Sequence, residues 1–222
     1  MAIIINIDST IETASVSIAE NGIILQSATN TVQKEHAVFI HVCIKDMLAK
    51  LKISIKNIDA IATTIGPGSY TGLRICLAAA KGLCYALNKP LITIGTLEAM
   101  AKATFLNIKN NNEYFYCPMI DARRMEVYTA LYNENLVEII APHAIIIDEQ
   151  FCSSVLEKQQ VIFLGSGMEK FKYLNIFGNT VFENMPPLTN AINLLSYDKF
   201  CGEFFADVAS SSPLYTKEFY NL

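Results

Sequence analysis

The sequence predicts an α/β protein assembled from two copies of one lobe. Residues 3–25 and 114–138 share one pattern: apolar strand, acidic residue, polar turn, second strand, Asn-containing turn, third strand. Asp121 follows Asp8 by 113 positions in a chain of 222 residues. Each copy is followed by segments with helical periodicity. Self-similarity at half the chain length reads as an internal duplication with one lobe per copy.

The elements follow in order. The opening Met-Ala-Ile-Ile-Ile-Asn-Ile-Asp8 lacks a basic stretch and reaches a carboxylate at position eight, so it reads as a first strand and not a signal peptide. Ser9, Thr10 and Thr13 make a polar turn, Ala14 to Ala19 a second strand, and Asn21-Gly22 the hairpin signal before a third strand from Ile23 to Gln26. Ile40, Cys43, Ile44, Met47, Leu48 and Leu51 recur at helical spacing and predict an amphipathic helix. An apolar run from Ile58 to Ile65 then enters a Gly-rich loop. Residues 73–87 beyond it are apolar nearly all round and rich in small residues (Ala78, Ala79, Ala80, Gly82, Ala86), as in a helix buried on more than one side.

Polar Asn107 to Asn112 marks the lobe boundary. In the second copy, Tyr114 to Ile120 and Glu126 to Leu131 read as strands around Asp121, Arg123 and Arg124, with a third strand beyond Asn133-Glu134-Asn135. Val161 to Leu164 predicts a strand leading into Gly165-Ser166-Gly167 and a short helix. Pro186-Pro187 precedes a helix from about Ala191 to Phe205, with Thr189 or Asn190 as its cap. The lobes are expected at 1–106 and 107–205, the tail from about 206 rejoining the first.

Composition narrows the function. Hydrophobic residues make up 52% and charged residues 17%, a globular balance, and the net charge of −4 argues against a dedicated nucleic-acid binder. Residues 1–102 carry nine Lys/Arg and seven Asp/Glu; residues 103–222 carry eight and fourteen. Six cysteines lack a C-x-x-C pair, so most read as buried small hydrophobes in a reducing, cytoplasmic setting. No uncharged apolar run is long enough to predict a membrane span.

The most informative stretch is Ile65-Gly66-Pro67-Gly68-Ser69-Tyr70-Thr71-Gly72-Leu73-Arg74. A Gly-rich turn from strand to helix suits either an anion or a closely packed partner. Five residues separate Gly66 from Gly72 and Leu73 stands where a P-loop needs Lys, so that motif is absent. Gly66, Gly68 and Gly72 are also one residue too long for a dinucleotide fingerprint. Ser69 does not sit in a G-x-S-x-G elbow.

Asp8, Ser9 and Thr10 suit either a hydrated Mg²⁺ with a phosphate or a turn whose carboxylate caps nearby N–H groups. Asp121 with Arg123 and Arg124 suits either anion binding or an ion-paired turn. His36 and His41 are five apart, which turns the second ring about 100° beyond the i, i+4 spacing that paired metal ligands on a helix need. His143 reads as a loop residue.

Four elements together resemble the bacterial TsaB (YeaZ) family: Ile7-Asp8-Ser9-Thr10 with the turn after it, Lys34-Glu35-His36, the Gly66–Arg74 loop, and Asp121-Ala122-Arg123-Arg124-Met125-Glu126-Val127-Tyr128. Met125 stands where the family commonly has Gly, and Pro213-Leu214-Tyr215-Thr216-Lys217 departs from its usual ending. The resemblance implies a two-lobed fold of the actin, sugar-kinase and chaperone-ATPase type, with duplicated ribonuclease-H-like lobes and a reduced second lobe. It implies a non-catalytic partner of the TsaD subunit, which transfers threonylcarbamoyl to the adenosine beside the anticodon of tRNAs reading ANN codons. The i, i+5 histidines fit the lack of TsaD's metal-binding pair.

By the same resemblance, His36, His41, Lys45, Gly72, Leu73, Arg74, Leu77, Ala78 and Lys81 become interface candidates, facing TsaD or a second copy of the chain. Asp8, Ser9, Thr10, Asp121, Gly165 and Gly167 become possible phosphate contacts. No cofactor is expected on the chain alone; ATP or ADP with Mg²⁺ belongs to the assembly, which a TsaE-like ATPase completes and through which tRNA is met indirectly. The competing readings are a small Mg-ATP-dependent kinase using Asp8 and the Gly165–Gly167 loop, and a metallopeptidase.

Overall fold

A β-branched run interrupted only by Asn6 puts β1 (Ile3–Asp8) at the centre of a sheet, buried along almost its whole length. The structure, a computed structural model, describes residues 1–11, 13–108, 114–147, 160–172 and 180–216. It divides into two compact units, Met1–Thr96 with Leu188–Leu214 and Leu97–Pro187 with Tyr215–Leu222.

In the first unit, β2 (Ala14–Glu20) and β3 (Ile23–Asn30) continue from β1 as an antiparallel meander. Asn21 and Gly22 both take positive φ at the hairpin turn, as Asn-Gly does readily. β3 alternates exposed and half-buried residues, the pattern of an edge strand. Two parallel strands, β4 (Ala60–Gly66) and β5 (Leu91–Gly95), extend the other side, giving the order β3-β2-β1-β4-β5.

Between them run α1 (His36–Leu51) and α2 (Tyr70–Leu87), packed side by side over Ile5, Ile7, Val16 and Ile18. Each helix ends on a left-handed residue, Lys52 and Asn88, and the following N–H groups of Ile53 and Lys89 return to Leu48 and Cys84 carbonyls at 3.0 Å. The predicted apolar stripe of α1 is its buried face, with Leu51 half-buried at the end.

The second unit repeats this plan. β6 (Tyr114–Asp121), β7 (Glu126–Tyr132) and β8 (Glu138–Ile146) form the meander, and β9 (Gln160–Leu164) and β10 (Thr180–Glu183) pair parallel beside β6. The order β10-β9-β6-β7-β8 matches the first sheet strand for strand. Its described helices are α3 (Thr96–Asn107), whose Phe105 meets Tyr116 edge-on at 6.0 Å, and the five-residue α4 (Met168–Lys172). His143, expected in a loop, lies within β8 opposite Thr129. Most of the Asn107–Asn112 boundary lies outside the described residues.

The last helix corrects the sequence reading. α5 runs Thr189–Cys201, starting at Thr189 with no side-chain cap and stopping before Gly202. It packs on the first sheet, not with residues 107–205. The reason is a buried polar contact: Asn193 Oδ1 accepts from Asn6 Nδ2 at 2.7 Å, and Asn193 Nδ2 donates to Ser17 Oγ at 2.8 Å. Asn6 and Ser17 alternate with Ile5, Ile7, Val16 and Ile18, so α5 covers the face opposite α1 and α2.

Beyond α5 the chain stays on the first unit as far as Leu214. The Ala206 N–H donates to Leu91 O at 2.8 Å, the Leu214 N–H donates to Ile65 O at 2.7 Å, and Lys81 Nζ reaches Ala209 O at 2.9 Å and Ser211 O at 3.0 Å. Among the described residues no helix is long and apolar enough to cross a membrane.

Candidate protein-docking site

The Gly-rich loop is closed by contact with the β1–β2 turn. The Ser69 N–H donates to Thr10 O at 2.8 Å, and Ser69 Oγ caps α2 by accepting from the Gly72 N–H at 3.2 Å. A Cβ on Gly72 would lie 2.9 Å from both the carbonyl carbon and Oγ of Ser9, and closer still to the Ser9 carbonyl oxygen. A Cβ on Gly68 would lie 3.1 Å from the carbonyl carbon and Cβ of Thr10. The glycines are therefore used for close approach of backbone to backbone.

The turn beneath is filled from within. Asp8 Oδ1 accepts from Thr10 Oγ1 at 2.6 Å, Thr64 Oγ1 at 2.6 Å and the Thr10 N–H at 3.0 Å. Ser9 Oγ and His36 Nδ1 share a hydrogen bond of 2.9 Å, and His36 Nε2 is buried with no hydrogen-bond partner among the described residues. Burial pushes the nearby Cys76 thiol well above its ordinary pKa, the Asp8 charge adds to this and the Ser9 hydrogen bond opposes it. A thiol held so is no nucleophile. Asp8, Ser9 and Thr10, read from the sequence as possible phosphate contacts, are all buried under the glycine loop, with Asp8 Oδ1 and both hydroxyls bonded inside the fold. Thr64, which the sequence reading missed, belongs to this cluster; no periodicity marks a hydroxyl supplied from the neighbouring strand.

The second unit spends its glycines in the same way. The Gly167 N–H donates to Met119 O at 3.0 Å, and a Cβ there would stand 2.8 Å from Val127 Cγ1. Gly165 takes φ +92°, and a Cβ would strike the Met119 carbonyl and the Met100 methyl. Asp121 is exposed and ion-paired with Lys170 Nζ at 2.9 Å. Partial burial pushes its carboxyl upward, but the Lys170 hydrogen bond, the Arg123 N–H and the Lys170 charge outweigh this and hold it below its ordinary value. Gly165 and Gly167 are packing residues here, and Asp121 answers a lysine.

The interface candidates separate by burial. His36, Gly72, Leu73 and Leu77 face the interior of the first unit and are corrected as surface residues, because they lie on the inward side of α1 and α2. Lys81 is half-buried and tied to the tail carbonyls. His41, Lys45, Arg74 and Ala78 are exposed, so His36 and His41 point to different surroundings. The Arg74 guanidinium lies 4.1 Å from the centre of the Tyr70 ring. Around these four the sequence reading missed Val38 (69% exposed), Val42 (52%) and Tyr85 (87%). Gly82 lies in the same stripe, with nothing within 4 Å of an added Cβ. The outward side of α1 and α2 is therefore apolar and small-residued, with a thin charged edge.

A family model described as TsaD: tRNA N6-adenosine threonylcarbamoyltransferase matches residues 23–213. The tRNA threonylcarbamoyladenosine biosynthesis protein TsaB of Buchnera aphidicola subsp. Acyrthosiphon pisum is 32% identical over 60% of this chain, which spans 58% of that relative. The TsaB of Buchnera aphidicola subsp. Baizongia pistaciae is 31% identical over 71% of this chain and 74% of its own length. The solved structure of YeaZ from Pseudomonas aeruginosa shares the fold, with TM-score 0.79, 20% identity, and coverage of 97% of this chain and 100% of that one. The chain therefore belongs to the TsaB (YeaZ) family of tRNA threonylcarbamoyladenosine biosynthesis proteins, and to the wider family that the TsaD model describes.

Proposed function

We propose that the chain is a non-catalytic partner subunit in threonylcarbamoyladenosine formation on tRNA, and that the outward face of α1 and α2 docks a TsaD-type catalytic subunit. The observation that carries this is the exposed stripe of Val38, Val42, Ala78, Gly82 and Tyr85 on two adjacent helices. Small residues let another helix approach closely, and the exposed aromatic and valines are what such an approach covers. The names of the relatives, which pair TsaB with threonylcarbamoyladenosine biosynthesis and TsaD with the transferase, support the choice of partner.

ATP or ADP with Mg²⁺ is, in this reading, a ligand of the assembly and of a TsaE-like ATPase; the internally bonded Asp8–Thr10 turn supports that. A second copy of the chain occupies the same face when the catalytic subunit is absent.

Ala78→Glu tests the face. The substitution is exposed and helix-compatible, so the isolated chain keeps its fold, while a carboxylate buried without a partner weakens pairing by about a hundredfold or more. Size-exclusion chromatography with the TsaD-type subunit reads the outcome. Normal pairing of the variant would remove this face from the interface.

A further inference from the structure

We propose that the β6–β7 tip is a phosphodiester contact through which the assembled complex holds its RNA, with Arg123 and Arg124 as the binding groups. The inference rests on the proposed function for the presence of an RNA, and on the following geometry for its place.

Both arginines are exposed, and neither guanidinium ion-pairs or hydrogen-bonds with a described residue. The carboxylate the sequence offers them, Asp121, is instead met by Lys170 at 2.9 Å and by the Arg123 backbone N–H at 2.6 Å. Two adjacent cations therefore stand unmatched in the half of the chain with fourteen acidic and eight basic residues.

The backbone points the same way. Arg123 and Arg124 take φ +69° and +48°, the left-handed region that Asn and Gly occupy without the strain a long side chain brings. Neither side chain gains a hydrogen bond or ion pair with a described residue that offsets this strain, so no such bond selects arginine here. Strain held at an exposed, unpaired position is characteristic of a binding site.

The tip is also tied down by hydrogen bonds. The Ala122 N–H donates to Glu126 O at 3.1 Å, the Glu126 N–H to Arg123 O at 3.1 Å and the Asp121 N–H to Ser166 Oγ at 3.1 Å, while Lys170 Nζ reaches Glu126 O at 2.9 Å. Two guanidiniums on a hydrogen-bonded turn need little backbone ordering on binding, and each presents a planar fork that matches two phosphate oxygens. Met125 beside them is 45% exposed and offers apolar surface against which a base can lie next to a bound phosphodiester. The net charge of −4 means the contact acts at short range, inside the assembly, rather than by long-range attraction.

The test replaces both arginines with residues the backbone prefers, Arg123→Asn with Arg124→Gly, so misfolding cannot explain a loss. In the reconstituted assembly the KM for tRNA is expected to rise about tenfold with kcat retained, and the salt dependence of tRNA binding to become shallower by about one to two in log–log slope. The Tm of the isolated variant is expected to equal or exceed that of the parent chain. An unchanged KM and slope would overturn the proposal. So would loss of pairing with the TsaD-type subunit, since the tip would then be a protein contact. Should the parent chain fail to support modification at all, the proposed function fails first. The RNA contact is then read separately from low-salt binding of an anticodon stem-loop to the isolated chain, where equal binding by parent and variant sinks it.

Discussion

Gly72→Ala sets helix propensity against packing. By propensity the change favours α2 by about 1 kcal/mol. The new Cβ would sit 2.9 Å from the Ser9 carbonyl carbon and Oγ, where ordinary van der Waals contact begins at 3.4 Å, and closer still to the Ser9 carbonyl oxygen. The obstacle is backbone, so the helix and the turn must separate. That movement opens the 2.8 Å bond from the Ser69 N–H to Thr10 O. Overpacking costs about 1–3 kcal/mol, here at its upper end, and the lost hydrogen bond about 1 kcal/mol more. Packing wins, with a net loss of about 2–3 kcal/mol, or about 5–10 °C in Tm for a chain of this size. Gly82→Ala in the same helix has nothing within 4 Å to strike and is expected to gain about 0.5–1 kcal/mol. Thermal unfolding followed by circular dichroism compares the two. A Gly72→Ala variant as stable as Gly82→Ala would refute the close-approach account of the glycine loop.

Two further outcomes follow from single contacts. Asn193→Ala removes the acceptor of Asn6 Nδ2, leaving it a 3.4 Å contact to Ile4 O inside the fold, and is expected to cost about 2 kcal/mol in urea unfolding; a loss under a few tenths would mean the network contributes little. Lys170→Met removes the partner of Asp121, a pair exposed enough to be worth at most about 1 kcal/mol. Because Asp121 is held below its ordinary value in the fold, its share of stability is complete above about pH 4 and is lost as pH falls below that. The gap between parent and variant therefore narrows from pH 7 to pH 3, with a remainder from the Lys170 bond to Glu126 O. A gap that widens in acid would contradict the pairing.

Much of the fold was legible because the duplication repeats a strong local signal. The Ile-rich first strand, Asn21-Gly22 and the Ile40–Leu51 stripe each specify their element without tertiary help, and the second meander copies the first. What the sequence hid depends on contacts between distant segments. The sequence alone places α5 with the second lobe because its anchor is Asn193, and a polar residue on a helix does not announce which strands carry its partners. The tail's return along Leu91 and Ile65 runs through backbone hydrogen bonds, which leave no side-chain pattern.

The site divides in the same way. Motif spacing excludes the P-loop pattern, but it does not show that Gly68 and Gly72 close on Ser9 and Thr10, because that approach is set by three-dimensional packing. The interface candidates taken from α2 included its inward Leu73 and Leu77, since a helix apolar nearly all round gives no clear phase. Val38, Val42 and Tyr85 were missed because exposed apolar residues differ from buried ones only in position, not in type.

In the proposed role the chain serves a catalytic subunit rather than carrying a reaction itself. Threonylcarbamoyladenosine formation on tRNA, measured in a reconstituted system with and without the chain, tests it most directly. Modification that depends on the chain and is lost with Ala78→Glu is the predicted result; modification at the same rate without the chain, or ATP turnover by the chain alone, would contradict it.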